Sequence, residues 1–125
     1  TLNPSSAASD VYKRQESLAC RYLEARGLVL IRRNYRSHRG EIDLIMRDSQ
    51  DLVFIEVKYR HSNRFGGPEE AITAVKEQRL KITAARYLQE TRCPNAMARF
   101  DAVAMSQPID ANAGYSYNWI KNIFH

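Results

Sequence analysis

Two hydrophobic rhythms alternate along the chain. From Gln15, the apolar positions Leu18, Ala19, Tyr22 and Leu23 recur at the spacing of one helix face, and Gly27 supplies the stop. The period then shortens to two. LVLIRRNYR predicts a strand from Leu28 to about Tyr35, GEIDLIMR a second and LVFIEVKYR a third, with DSQD as the turn between the last two. Connections this short favour an antiparallel meander. SNRFGGPEE then reads as a loop, closed by Gly66-Gly67-Pro68, before a mostly helical stretch from about Glu69 to Thr91. Leu80, Ala84, Tyr87 and Leu88 form its apolar stripe. ARFDAVAMS predicts another strand, and YSYNWIKNIF a final strand or strand plus turn. The expected class is α/β in the order α-β-β-β-α-β-(β), without repeats or low-complexity tracts.

Residues 1–15, TLNPSSAASDVYKRQ, differ in character from the rest of the chain. Asn3-Pro4-Ser5-Ser6 is turn-like, and SDVYKRQ resembles a translated adaptor tail. This stretch is expected to be a disordered or non-native tail and is kept out of the fold assignment. Residues 16–125 are expected to form a single domain.

A chain of 125 residues is long enough for one proper core. Hydrophobic residues at 44% and charged residues at 26% place it among globular rather than disordered proteins. No apolar run approaches the roughly 18 residues of a membrane span, and the amino terminus lacks the pattern of a signal peptide. A cytoplasmic protein without a membrane partner is the expectation. Cys20 and Cys93 form no CxxC pair and sit in no His-rich cluster, which excludes a structural zinc site and favours reduced thiols. The net charge of +5 biases the chain toward polyanion partners, though charge alone does not identify one.

Chemistry enters with the second and third strands. Alternation places Glu41, Asp43 and Ile45 on one face of the second strand, and Ile42, Leu44 and Met46 on the other. On the third, Val53, Ile55 and Val57 share a face, while Glu56 and Lys58 lie on the opposite one, roughly 6.5 Å apart. An isolated Glu-x-Lys is ordinarily a salt bridge on the wet side of a strand. Here the acid-bearing faces can meet, which makes Asp43 and Glu56 neighbours. Two carboxylates held close are unfavourable without a cation. A hard divalent ion resolves that, because Mg²⁺ is usually held by one or two carboxylates plus water and phosphate. Such an ion can polarise a phosphodiester and activate water, with Lys58 positioning the water or stabilising charge on the phosphate.

Asp43, thirteen residues, then Glu56-Val57-Lys58 resembles the PD-(D/E)xK signature of restriction-endonuclease-like nucleases. Glu16 on the preceding helix matches the extra acid of the Holliday-junction-resolvase branch. More closely, NYRSHRGEIDLI, LVFIEVKYR, PEEAI followed by Lys76, and RFDAV resemble the bacterial YraN family of endonuclease-like proteins, in order from about Glu16 to the end. The resemblance implies a restriction-endonuclease-like core, a mixed β-sheet flanked by helices, with the active site at the sheet's edge. It implies Asp43 and Glu56 as metal ligands, joined by the carbonyl of Val57, and a catalytic set of Glu16, Asp43, Glu56 and Lys58. Mg²⁺ or Mn²⁺ is the implied cofactor. The chain departs from the pattern twice: Ile42 stands where the signature has proline, and Gln15 where the family usually has glycine.

Arg32, Arg33, Arg36 and Arg39, with His38, crowd the span IRRNYRSHRGE beside these acids. Arginine pairs bidentately with phosphate oxygens, so a phosphate clamp is expected, against the alternative of a solvated hairpin. Lys76, Arg79 and Lys81 make a weaker case, because helices often carry such charges on a wet face. Glu41 is a spare carboxylate at the strand start. Tyr115, Tyr117 and Trp119 alternate, which is more often sheet packing than base stacking. His38, His61 and His125 are scattered and offer no general base.

These readings converge on a metal-dependent nuclease that hydrolyses DNA phosphodiester bonds, with structured or branched DNA entering by fold analogy. Two alternatives stand beside it: a nucleic-acid-binding module of the same fold with little or no catalysis, and an accessory protein using the fold as a scaffold. A homodimer is compatible with each.

Overall fold

The structure is a computed structural model that describes residues 4–60, 72–93, 95–107 and 114–124, with the side chains of 4–9 left aside. Its elements are α1 (Pro4–Glu24), β1 (Val29–Arg36), β2 (Glu41–Asp48), β3 (Asp51–Arg60), α2 (Ala74–Glu90), β4 (Ala98–Ser106) and β5 (Ser116–Ile120). They form one five-stranded sheet in the order β1-β2-β3-β4-β5. The first three strands are the expected antiparallel meander. The crossover through α2 makes β3 and β4 parallel, and β5 returns antiparallel to β4. This α/β fold, a mixed sheet between two helices, is consistent with a restriction-endonuclease-like core. No helix among the described residues is long and apolar enough to cross a membrane.

Each helix covers one face. Ala19, Cys20 and Leu23 of α1 pack with Leu44, Met46, Val53, Ile55, Val103 and Met105. Leu80, Ala84 and Tyr87 of α2 pack with Tyr35, Ile42, Ile45 and Phe54 on the other side. Strict period two in β3 and β4 produces this division. Helix α1 ends where the sequence places its stop: Gly27 adopts φ +100, Gly27 N–H donates to the Glu24 carbonyl at 3.0 Å, and Leu28 N–H to that of Leu23 at 3.2 Å. A side chain would strain that left-handed position, so glycine suits it.

Several expectations need correction. The helix expected from Gln15 begins at Pro4, where proline suits a first turn whose N–H groups lack intrahelical partners. The second helix, α2, is capped by Thr73, which is extended (φ -80, ψ 163) and whose hydroxyl accepts from Lys76 N–H at 3.1 Å. The loop around Gly66-Gly67-Pro68 and residues 69–71 lie outside the described residues. Strand β2 also breaks its alternation: Ile42 packs with Ile45 toward α2, whereas Leu44 and Met46 face α1. Tyr115, Tyr117 and Trp119 pack on the α1-side core, with Tyr117 of β5 stacked on Tyr22 of α1 at 4.5 Å and Tyr115, just before β5, edge-on to Tyr59.

The end of the sheet near the β2–β3 turn is fastened by charge. Asp101 is fully buried and accepts from Arg99 Nε at 3.1 and 3.2 Å, Trp119 Nε1 at 2.9 Å and Asn122 N–H at 2.9 Å. Arg99 also reaches Asp48 at 2.8 Å and Asp51 at 3.9 Å. The buried carboxylate is therefore saturated with donors, which is the condition for tolerating it. Asp101→Asn keeps the shape but turns an NH₂ toward donors and leaves Arg99 undercompensated. It should destabilise the protein by about 3 kcal/mol, the scale of breaking one side of a buried pair. Urea unfolding checks this, and a loss under about 0.5 kcal/mol, the range of ordinary surface changes, would contradict it.

Candidate active site

The site is created where a ladder ends. Pairing of β2 with β3 runs from Asp48–Asp51 to Leu44–Ile55. Its next step would set Asp43 opposite Glu56. Instead the Asp43 side chain takes over: its Oδ2 accepts from Val57 N–H at 2.8 Å. In an extended strand the N–H and C=O of one residue point to the same edge, so the Val57 carbonyl faces this gap too.

At the same level β1 turns over. Arg33 pairs with Leu44 and Tyr35 with Ile42, yet the first pair faces α1 and the second α2. Between them Asn34 has φ 53, a left-handed conformation that asparagine tolerates better than most residues. With its amide nitrogen turned toward them, Asn34 donates to Glu41 Oε1 and Glu16 Oε2, each at 2.9 Å. One asparagine thus ties the acid of α1 to the acid at the start of β2.

Four carboxylates share this region. Burial, followed by the charge of Glu56, pushes the Asp43 carboxyl up to about 8, against the opposing pull of the Val57 N–H. Glu16 and Glu41 add to the rise. Glu16 itself is raised by burial and by Glu41, with Arg33 and the Asn34 amide acting against both. Glu56 is 8% exposed and ion-paired with Lys76 of α2. Burial, with Lys76 nearby, lowers Lys58, while Glu56 and Asp43 hold its proton on. Asp43, Glu56, Lys58 and Glu16 therefore stand in one electrostatic neighbourhood, with Lys76 as an added member.

Among the described residues, no three His, Cys, Asp or Glu side chains are gathered closely enough to hold a metal ion. The donors that converge are two carboxylates, Asp43 and Glu56, and the carbonyl edge of Val57. Hard oxygen donors of this kind, completed by water or phosphate, suit Mg²⁺ or Mn²⁺.

The basic residues divide. Arg33 is turned inward: its guanidinium donates to Ser17 Oγ at 2.8 Å and the Lys13 carbonyl at 3.3 Å, docking α1 on β1. Arg32, Arg36, Arg39 and Arg79 are exposed. Arg32 lies over the Tyr35 ring at 4.9 Å, and Arg36 reaches Glu41 at 3.6 Å. The hairpin carrying Arg39 rests on α2 beside Arg79, because a Cβ at Gly40 would sit 3.4 Å from that of Arg79 and Ser37 Oγ is 2.7 Å from Thr83 Oγ1. Arginines forty residues apart in sequence thus line one rim. Sequence reasoning placed Lys76 among the phosphate contacts and missed its pairing with Glu56; it missed Asn34 entirely. An asparagine inside a β pattern, where that residue is depleted, was the available signal for the second.

Asp43 offers a test without metal. Its proton is bound more tightly in the folded than in the unfolded protein, so stability falls as pH rises from about 4 toward about 8. Asp43→Asn removes that loss while keeping an acceptor for Val57 N–H. In EDTA the variant should melt higher than the parent, by a margin that grows from pH 5 to pH 8. A margin independent of pH, measured by thermal melts across that range, would contradict the assignment.

Residues 15–105 match the family described as "Uncharacterised protein family UPF0102". A UPF0102 protein of Nitrosococcus oceani is 45% identical over 92% of this chain and 91% of its own length. One from Methylococcus capsulatus is 46% identical over 86% and 84%, and one from Coxiella burnetii 44% identical over 86% and 85%. The matched span runs from the start of the Glu16 region through β4, and so contains every acid and lysine of the site. The chain belongs to the uncharacterised protein family UPF0102, which is the YraN family of the sequence resemblance.

Proposed function

We propose that this chain is a metal-dependent nuclease that hydrolyses DNA phosphodiester bonds, branched or otherwise structured DNA included. The observation that carries the reading is the Asp43–Val57 hydrogen bond, which holds one carboxylate in the gap against the charge of Glu56 and beside Lys58. Asp43, Glu56 and the Val57 carbonyl would hold Mg²⁺ or Mn²⁺. When bound, a divalent ion supplies charge neutralisation and Lewis acidity at the phosphate. The chain's own residues do the rest. Asp43, tied to the Val57 N–H, and Glu56 would set where the ion sits relative to the sheet. Lys58 Nζ orients the attacking water or balances the negative charge that grows on the phosphate oxygens. Glu16, whose carboxyl is pushed up by burial and by Glu41 and which Asn34 holds in place, adds a further acid at the rim of the gap. Arg32, Arg36, Arg39 and Arg79 are the residues available to grip flanking phosphates, whereas Arg33 serves the fold.

A second reading has its own support. Glu56 already has a partner in Lys76, which neutralises it without any metal. A DNA-binding module with little or no catalysis would need nothing more.

The decisive comparison is cleavage of linear, flapped and four-way DNA with Mg²⁺ or Mn²⁺ by the wild-type protein, Glu56→Gln and Lys58→Ala. The wild type should cut at least one substrate. Each variant should lose about a hundredfold or more, the scale of losing one charge-stabilising group, with the double variant little worse because the groups act as a unit. Lys58→Ala should still bind metal, since an ammonium is no ligand, and Glu56→Gln should still bind DNA. A wild type that binds DNA but cuts none with either metal, while both variants bind alike, would hand the protein to the second reading.

A further inference from the structure

A cavity of about 320 Å³ opens beside Lys58, on the α2 side of the sheet. Its origin is in the packing. Helix α2 buries Leu80, Ala84 and Tyr87 with Tyr35, Ile42, Ile45 and Phe54, and the cavity lies between its first turn and strands β4 and β5. Strand β4 presents Ala102 and Ala104 there, side chains too small to fill the space. Ile72, Ile120 and Phe124 make the slot apolar, with one aromatic ring. Lys58, Thr73 and Glu77 supply its polar groups.

Lys58 belongs to two places at once. It lines this slot, and it shares a strand face with Glu56, roughly 6.5 Å away along β3. Among the described residues Lys58 has no ion-pair partner, whereas Lys76 beside it is committed to Glu56. A phosphate held by Lys58 at the carboxylates would therefore carry its own nucleoside to the mouth of the slot. The slot lies at the lower end of the roughly 300–1,000 Å³ typical of small-molecule sites. It has room for one base with its sugar but not for a base pair. Phe124, whose ring also packs on Phe100 at 5.2 Å and lies 5.4 Å from Lys81 Nζ, gives the slot its aromatic edge, and an aromatic ring accepts any base because each has a π-face. The Thr73 hydroxyl oxygen accepts from Lys76 N–H, which leaves its own proton to donate. Glu77, drawn only loosely toward Lys81 at 3.9 Å, adds an acceptor.

We infer that the cavity between the first turn of α2 and strands β4 and β5 is a pocket for a single unpaired nucleobase, joined through Lys58 to the phosphate at the Asp43–Glu56 site. The inference rests on the nuclease reading and narrows its substrate class. The nucleotide adjoining the reacting phosphate leaves the base stack, so DNA with unpaired nucleotides at flaps, bulges or junctions is favoured over continuous duplex. A base already unpaired enters at the least cost.

The test compares one duplex bearing a single-nucleotide bulge with the same duplex bearing an abasic residue at the bulge. Both are bound in EDTA, so that nothing depends on cleavage. The wild-type protein should bind the base-bearing DNA about tenfold more tightly, the scale of one base stacked on an aromatic ring. Ala74→Trp, which fills the slot from α2, should bring that affinity down to the abasic level. Should this variant not melt cooperatively, Phe124→Ala replaces it, with the same loss expected. Equal wild-type affinity for the two DNAs, no binding of either, or a difference that survives both substitutions overturns the proposal. Its failure is separable from that of the nuclease reading. Base discrimination without cleavage in any metal leaves the pocket standing and removes the nuclease, and cleavage without base discrimination does the reverse.

Discussion

The hydrogen bond from Val57 N–H to the Asp43 carboxylate is the constraint on which the candidate site depends. A buried backbone N–H must find an acceptor. Along most of β3 the acceptor is another strand, but past Ile55 the neighbouring backbone has left, and a side chain replaces it. A carboxylate accepting in place of a carbonyl stands off the sheet by its own length. The strands open there, and Asp43, the Val57 edge and Glu56 are brought to the same gap. The opening does not propagate, because the far end of β2 and β3 is tied to β4 and β5 by Arg99 and its three acids.

The same sheet thus carries two sets of carboxylates treated in opposite ways. Asp101 has a guanidinium, an indole N–H and a backbone N–H directed at it, and it is completely buried. Asp43 has one backbone N–H and several acids for neighbours. The first set stabilises the fold; the second costs it. A cost of that kind is characteristic of functional sites, and it is part of what supports the proposed cation site. Lys76 relieves part of it by pairing with Glu56, and the remainder falls on Asp43.

Much of this was legible in the sequence, because it depended on periodicity. The strands, their order and the segregation of Glu56 and Lys58 from Val53 and Ile55 follow from a two-residue repeat that β3 and β4 obey. What escaped depended on single residues that break a repeat. Ile42 faces α2 because the chain turns over at Asn34 and Asp43, and a pattern of alternating positions cannot announce its own interruption. The Thr73 hydroxyl caps α2 at its first turn, and a single capping residue inside a helical composition is hard to single out from sequence alone. Arg33 looked like its neighbours, and only the docking of α1 against β1 separates a structural arginine from exposed ones. The alliance of Lys76 with Glu56 joins elements twenty residues apart, and no local rule links them.

We propose that a divalent cation binds at the opened end of the β2–β3 ladder, and not at Asp48 and Asp51, the arginine-bound acids beside the β2–β3 turn. Paramagnetic line broadening of backbone amide resonances by substoichiometric Mn²⁺ reads this directly. The signals of Asp43, Glu56 and Val57 should broaden first and those of Asp48 and Asp51 should stay sharp, with the effect lost in Glu56→Gln. Broadening centred on Asp48 and Asp51, or unaltered by that substitution, would contradict the account.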